Sequence, residues 1–83
     1  MSGKTTTRLN ELKTGESGKL VNYNDDGDLG LKRHLLGMGF VKGTTIKLEK
    51  VAPLGDPIKL QVKGYSICLR KEEAQNIEIE KIN

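Results

Sequence analysis

Residues 52–70 read A-P-L-G-D-P-I-K-L-Q-V-K-G-Y-S-I-C-L-R, and this stretch decides the fold. Apolar and polar residues alternate over residues 58–62, and the same period resumes at Tyr65, directly after Gly64. A two-residue period is typical of strands that are buried on one face only. We therefore predict a β-hairpin in which the apolar residues of both strands share the buried face.

Two registers of this hairpin satisfy the pattern. A loop at residues 63–64 pairs Leu60 with Ile67. A loop at residues 64–65 instead pairs Leu60 with Leu69. Both registers place apolar residues opposite apolar residues, as a half-buried sheet requires. The sequence leaves the choice between them open.

Further strands are predicted over residues 19–23, 44–51 and 77–82, where β-branched and aliphatic residues are frequent. Together with the hairpin they give about five strands. In a domain of this size, five strands bury their inner faces best by curling into a small barrel. We therefore predict a mainly β protein with an SH3-like barrel, one short α-helix and a helical turn before the last strand.

The short helix is predicted from Leu31 and Leu35, which are four residues apart, with Met38 extending the same stripe. The polar loop at residues 24–28 supplies N-cap residues to this helix. One of the two glycines that flank Met38 ends the helix. Residues 70–76 are polar except for one alanine and suit a single helical turn.

Length and composition indicate one globular domain, with 83 residues, 35% of them hydrophobic, and a formal net charge of +3. Residues 1–8 are polar and threonine-rich, so we expect a flexible N-terminus and a folded domain over residues 9–83. No apolar run is long enough to cross a membrane, and the N-terminus lacks the apolar core of a secretory signal. We therefore expect a cytoplasmic location without membrane insertion. We also expect a monomer. The single cysteine, Cys68, cannot form an internal disulfide.

Four blocks of sequence carry a family resemblance: L-L-G-M-G-F at residues 35–40, G-T-x-I at 43–46, A-P-L-G-D-P-I at 52–58 and L-R-x-x-x-A-x-x-I at 69–77. In this order and spacing they resemble the FeoA family, and the resemblance covers residues 31–80. It implies an SH3-like barrel that supports ferrous iron transport through the cytosolic part of the membrane transporter FeoB. It also implies a likeness to the C-terminal domain of repressors of the diphtheria-toxin-repressor type.

A protein-binding role fits the residue inventory better than catalysis does. Several residues in or beside loops are candidates for partner contact, namely Leu36, Met38, Leu54, Gly55, Asp56 and Pro57. Leu54 lies in a turn, where side chains usually point to solvent, and is the first candidate. For Leu36 and Met38 the alternative is that they only seal one end of the barrel.

No enzyme is predicted, because catalysis needs a positioned base or nucleophile. His34 is the only histidine, and it is expected to point away from the leucine stripe of the helix. Cys68 alternates with apolar neighbours, so it is expected on the outer face of its strand. The two residues are therefore not expected to form a dyad.

Two other functions remain alternatives. His34, Cys68 and Asp56 are the candidate ligands of a transition-metal site, for Fe²⁺ or another ion, but no C-x-x-C or H-x-x-x-H pair supports one. No cofactor is therefore assigned. Nucleic-acid binding would need exposed aromatic side chains beside cations, and Tyr65 with Lys63 at the hairpin tip is the sole candidate platform.

Overall fold

Six antiparallel strands form one sheet in the computed structural model, which describes residues 6–24 and 27–82. The strands are β1 (Thr6–Arg8), β2 (Ser17–Tyr23), β3 (Thr45–Val51), β4 (Ile58–Val62), β5 (Tyr65–Leu69) and β6 (Ile77–Ile82). Their order in the sheet is β1-β6-β2-β3-β4-β5. The predicted mainly β architecture is confirmed, with one strand more than the sequence indicated.

The additional strand is β1, which consists of the last three residues of the stretch 1–8 that the sequence predicts to be flexible. Thr6 lies opposite Glu80 and Arg8 lies opposite Glu78, so β1 pairs with β6 at the edge of the sheet. This edge strand of three polar residues is held by backbone hydrogen bonds. Because backbone hydrogen bonds do not depend on the side chains, the strand shows no hydrophobic period in the sequence. Residues 1–5 lie outside the described residues.

The hairpin has the first of the two predicted registers. Leu60 lies opposite Ile67, and Val62 lies opposite Tyr65, so the loop consists of residues 63–64. The apolar residues of both strands face the core, as the alternation predicted.

Two short helices and a 3₁₀ turn connect the strands: the 3₁₀ turn Leu9–Glu11, α1 (Leu29–Gly37) and α2 (Lys71–Ala74). The carboxylate of Asp28 caps α1 by accepting hydrogen bonds from the backbone N–H groups of Gly30 at 2.8 Å and Leu31 at 3.2 Å. The prediction that the loop before α1 supplies its N-cap is therefore confirmed for Asp28. Asp25 and Asp26, from the same loop, lie outside the described residues.

The C-terminus of α1 is closed by Gly39. Met38 is the C-cap residue, and Gly39 follows it with a φ of +88°. The backbone N–H groups of Gly39 and Phe40 donate to the carbonyl oxygens of Leu36 at 3.1 Å and Leu35 at 3.0 Å. That left-handed conformation satisfies the last carbonyls of a helix and is easily adopted only by glycine. Of the two predicted glycines, the second therefore ends the helix.

The core lies between the curled sheet, α1 and the 3₁₀ turn. It consists of Leu9, Leu12, Leu20, Leu35, Phe40, Ile46, Leu48, Ile58, Leu60, Val62, Ile67, Leu69, Ala74, Ile77 and Ile79. Phe40 and Leu9 are both fully buried. No helix within the described residues is long and apolar enough to span a membrane.

Candidate partner-binding site

The loop between β3 and β4, residues 52–57, carries most of the predicted partner residues. The backbone N–H of Ala52 donates to the carbonyl oxygen of Pro57 at 3.1 Å, which closes the base of the loop. The N–H of Gly55 donates to the carbonyl oxygen of Ala52 at 2.7 Å, which folds its tip into a turn. Gly55 has a φ of +92°, and the Asp56–Pro57 peptide bond is cis. The loop is thus closed by its own backbone hydrogen bonds.

A side chain also ties this loop to α2. The carboxylate of Asp56 accepts a hydrogen bond from the backbone N–H of Lys71 at 2.7 Å. Glu73 of α2 accepts one from the N–H of Arg70 at 2.8 Å. The first N–H groups of a helix have no partner within the helix, so these two carboxylates satisfy groups that would otherwise need water. Asp56 is therefore a positioning residue for the loop rather than a free contact residue.

Leu54 stands at the tip of the loop, with 96% of its surface exposed. A single exposed leucine is ordinary on a protein surface. Here, however, the backbone that carries Leu54 is held by the hydrogen bonds within the loop and by the hydrogen bond of Asp56 to α2. A side chain presented in this way loses little conformational freedom when a partner covers it, which favours binding.

Leu36 and Met38 lie elsewhere. Met38 packs against the core, and its carbonyl oxygen accepts a hydrogen bond from the hydroxyl of Tyr65. Tyr65 is next to the Val62 end of β4, whereas the β3–β4 loop joins the Ile58 end. A strand of this length separates its ends by about 13 Å.

The six predicted residues therefore lie in two separate patches. One patch is the β3–β4 loop with Leu54. The other is the C-terminus of α1, where Leu36 remains 40% exposed. Met38 is only partly exposed and packs against the core, which fits the alternative that it seals one end of the barrel.

A groove of about 470 Å³ between α1 and the α2–β6 segment was not predicted. Its apolar lining includes Leu29, Tyr23, Leu31, Leu35 and Ile77. Leu29 is 58% exposed, and it follows the N-cap of α1 directly. The leucine stripe of the helix indicated one wall of this groove, but no pattern in the sequence indicated the element that faces it.

Tyr23 lines this groove and is anchored at its hydroxyl. The hydroxyl donates to the carbonyl oxygen of Phe40 at 2.5 Å, and the ammonium of Lys32 lies 5.7 Å from the ring centroid. Burial, and to a smaller degree the neighbouring Tyr65, raises the pKa of Tyr23 to about 12. The hydroxyl therefore remains protonated, and a hydrogen-bond donor, throughout the physiological range.

The metal candidates are not brought together. His34 is exposed on α1, Cys68 is exposed on β5, and Asp56 is engaged by Lys71. Within residues 6–24 and 27–82, no three His, Cys, Asp or Glu side chains are grouped so that they could hold a metal ion. His34 and Cys68 are both exposed, as expected from their positions on the helix and the strand.

The candidate nucleic-acid platform is also engaged within the protein. Tyr65 donates its hydroxyl to Met38, Tyr23 donates to Phe40, and Phe40 itself is buried. A stacking platform needs an exposed aromatic face. Of the three aromatic residues, Tyr65 at the hairpin tip is the most exposed.

The strand order and the small core define an SH3-like domain. The chain belongs to the FeoA family, because the model of the FeoA domain matches residues 7–81. FeoA proteins are small accessory factors of ferrous iron transport rather than enzymes.

Two relatives illustrate the range of the family. The chain is 40% identical over 76 residues to a Porphyromonas gingivalis protein named as a fusion of Fe(2+) transport protein A and the Fe(2+) transporter FeoB. That alignment covers 92% of this chain but only 9% of the fusion protein. A Campylobacter jejuni protein, provisionally named Fe(2+) transport protein A, is 34% identical over 86% of this chain and 93% of its own length.

Solved structures share the fold. FeoA of Chlorobium tepidum has a TM-score of 0.86 at 30% identity and is matched over 93% of this chain and 71% of its own. The zinc complex of Stenotrophomonas maltophilia FeoA, described as an SH3 domain protein, has a TM-score of 0.78 at 28% identity, over 89% of both chains. A manganese-dependent transcriptional repressor has a TM-score of 0.83 at 15% identity, over 99% of this chain and 45% of its own. The predicted likeness to metal-dependent repressors is thus confirmed for the fold.

Proposed function

We propose that this protein binds the cytosolic part of a FeoB-type transporter and modulates ferrous iron uptake. The observation that carries the proposal is the fusion of a similar domain to FeoB in a relative 40% identical to this chain. A covalent linker keeps two domains at a high effective concentration. A separate chain has to reach the same position by binding, so it needs a contact surface of its own.

The β3–β4 loop is the surface we assign to that contact. Its backbone is fixed by the hydrogen bonds of Ala52, Gly55 and Asp56, and it carries the almost fully exposed side chain of Leu54. A few well-anchored side chains supply most of the binding free energy of an interface. Leu54 is the anchor, Pro57 flanks it, and Leu36 at the end of α1 is a second, separate contact.

The test compares two exposed leucines on different surfaces. Leu54→Asp should weaken the affinity for the purified cytosolic part of FeoB from the same organism by about tenfold or more, measured by titration calorimetry. Leu29→Asp introduces the same charge on the rim of the α1–α2 groove and should leave the affinity unchanged. Circular dichroism verifies that both variants are folded.

The outcomes separate the surface from the function. If only Leu29→Asp weakens binding, the contact lies in the α1–α2 groove and the loop assignment is wrong. If the wild-type chain shows no affinity for the cytosolic part of FeoB, the proposed function itself fails.

The proposed direction of the effect is activation. The Stenotrophomonas maltophilia relative is described as a candidate activating factor of ferrous iron transport. Leu54→Asp should then lower Fe²⁺ uptake by cells that depend on FeoB, whereas Leu29→Asp should support uptake as the wild type does.

A further inference from the structure

The outer face of the sheet carries a cluster of lysines that the contact with a transporter does not use. We call it the lysine face, and it consists of Lys19 on β2, Lys47 and Lys50 on β3, Lys59 on β4 and Lys63 in the β4–β5 loop. All five side chains are exposed.

The registers of the strands bring these lysines together. Lys59 lies directly opposite Lys50, and Lys47 lies opposite Gln61 on the same strand pair. Residues that are paired across antiparallel strands share a face and have closely spaced Cβ atoms. Lys47 and Lys63 also line one groove, of about 790 Å³. The positive charges therefore act on one surface.

Acidic residues offset this charge only in part. Glu80 lies opposite Lys19, and Glu49 accepts a hydrogen bond from the hydroxyl of Ser66 at 3.3 Å. Five lysines against two glutamates leave a surplus of three positive charges, which equals the formal net charge of the whole chain, +3. Lys47 and Lys59 form no ion pair with any described carboxylate. This face is thus attractive to an extended anionic surface.

The composition of the lysine face identifies the kind of partner. Its described residues include no arginine, and the one exposed aromatic ring at its border, that of Tyr65, is held in place because its hydroxyl donates to the carbonyl oxygen of Met38. Protein interfaces are depleted in lysine and anchored by aromatic and arginine side chains, and single-stranded nucleic acid is bound on aromatic platforms. Flexible ammonium groups on a sheet can instead contact many mobile phosphate groups at once, such as those of lipid headgroups.

We propose that the lysine face binds the anionic phospholipid headgroups of a membrane surface. Basic residues close to such a surface each contribute attraction that decays within a Debye length, about 10 Å at 0.1 M salt. Contact through this face leaves the domain lying on the bilayer with the strands roughly parallel to it. The binding is reversible, since no apolar element inserts.

Sedimentation with vesicles tests the proposal in the absence of any transporter. The full chain should bind vesicles that contain phosphatidylglycerol, and should not bind pure phosphatidylcholine vesicles. Lys47→Gln/Lys59→Gln should weaken binding by about 30-fold, because two cationic contacts are lost. The control Lys13→Gln/Arg33→Gln removes the same charge outside the lysine face and should bind within about twofold of the wild type.

Three results would overturn the proposal. One is the absence of binding to phosphatidylglycerol vesicles at low salt. Another is equal weakening by the two double variants, since net charge rather than this face would then explain the binding. The third is tighter binding of a single-stranded oligonucleotide than of the vesicles, with the same loss in Lys47→Gln/Lys59→Gln, which would assign the face to nucleic acid.

Discussion

The carboxylate of Asp56 accepts the backbone N–H of Lys71 at 2.7 Å, a contact that joins the β3–β4 loop to the first turn of α2 across fifteen positions of the chain. α2 is a single turn of four residues, so its own hydrogen bonds contribute little to its stability. The bond fixes the start of this turn and the position of the loop at the same time.

Removing this carboxylate should therefore destabilise the domain. Asp56→Ala is expected to lower the free energy of unfolding by about 1 kcal/mol, as the loss of an N-cap side chain does. Asp56→Asn keeps an acceptor oxygen and should lose less than half of that. Urea denaturation measures both values. Equal losses in the two variants would show that the hydrogen bond to Lys71 does not carry the effect.

The two glycines at the end of α1 should respond in opposite directions to alanine. Gly39 has a φ of +88°, so Gly39→Ala should cost about 1–2 kcal/mol. Gly37 is the last residue of the helix, and a Cβ there meets nothing within 4 Å. Gly37→Ala should therefore stabilise the protein, by up to about 1 kcal/mol. Thermal unfolding of both variants tests the assignment of Gly39 as the helix terminator, which a stable Gly39→Ala variant would contradict.

The lysine pair across β3 and β4 should be a source of instability. Lys50 and Lys59 lie directly opposite each other, and like charges in this arrangement repel. Lys59→Glu should raise the free energy of unfolding by about 0.5–1 kcal/mol at low salt, and the gain should shrink at 1 M salt. Arg33→Glu is the control, because it makes the same change in net charge at an exposed position of α1, outside the lysine face. The same gain in the control would indicate a general effect of net charge.

Tyr23 should make the stability fall at alkaline pH. A tyrosine in an unfolded chain has a pKa of about 10, whereas burial raises the pKa of Tyr23 to about 12. Between these values the unfolded chain releases the proton more readily than the folded protein does. The contribution of Tyr23 is thus complete below pH 10 and is lost as the pH rises to 12.

The tyrosinate absorbance of a Tyr65→Phe variant measures this pKa, because Tyr23 is then the only tyrosine of the chain. The midpoint should lie well above that of free tyrosine, since burial, the larger cause of the shift, is retained. A midpoint near pH 10 would mean that the ring is not buried in solution.

The sequence predicted those parts of the fold that depend on one local pattern. The alternation in β4 and β5 indicated the hairpin and its buried face. It left two registers because both satisfy that face, and only the rest of the structure places Leu60 opposite Ile67. β1 was not predicted, since Thr6–Arg8 pairs with β6 through its backbone and shows no hydrophobic period. Long-range pairing of this kind has no local signature.

The candidate site was predicted residue by residue but not in its arrangement. The turn around Leu54 indicated an exposed side chain, and Leu54 is exposed. The separation of Leu54 from Met38 depends on how α1 and the hairpin pack, which spacing along the chain does not determine. The role of Asp56 was missed for the same reason, because its partner, Lys71, lies in a different element.

The pairing of β1 with β6 determines where attachments leave the domain. Thr6 lies opposite Glu80, so the first and last strands run side by side at one edge of the sheet, and the opposite edge is β5. A linker, dye or affinity tag at either end departs from that same edge. A longer polypeptide can therefore carry this domain at its beginning or in its middle without a change at the β3–β4 loop. For the same reason, protein labelled at either end is suitable for measuring contacts of the loop.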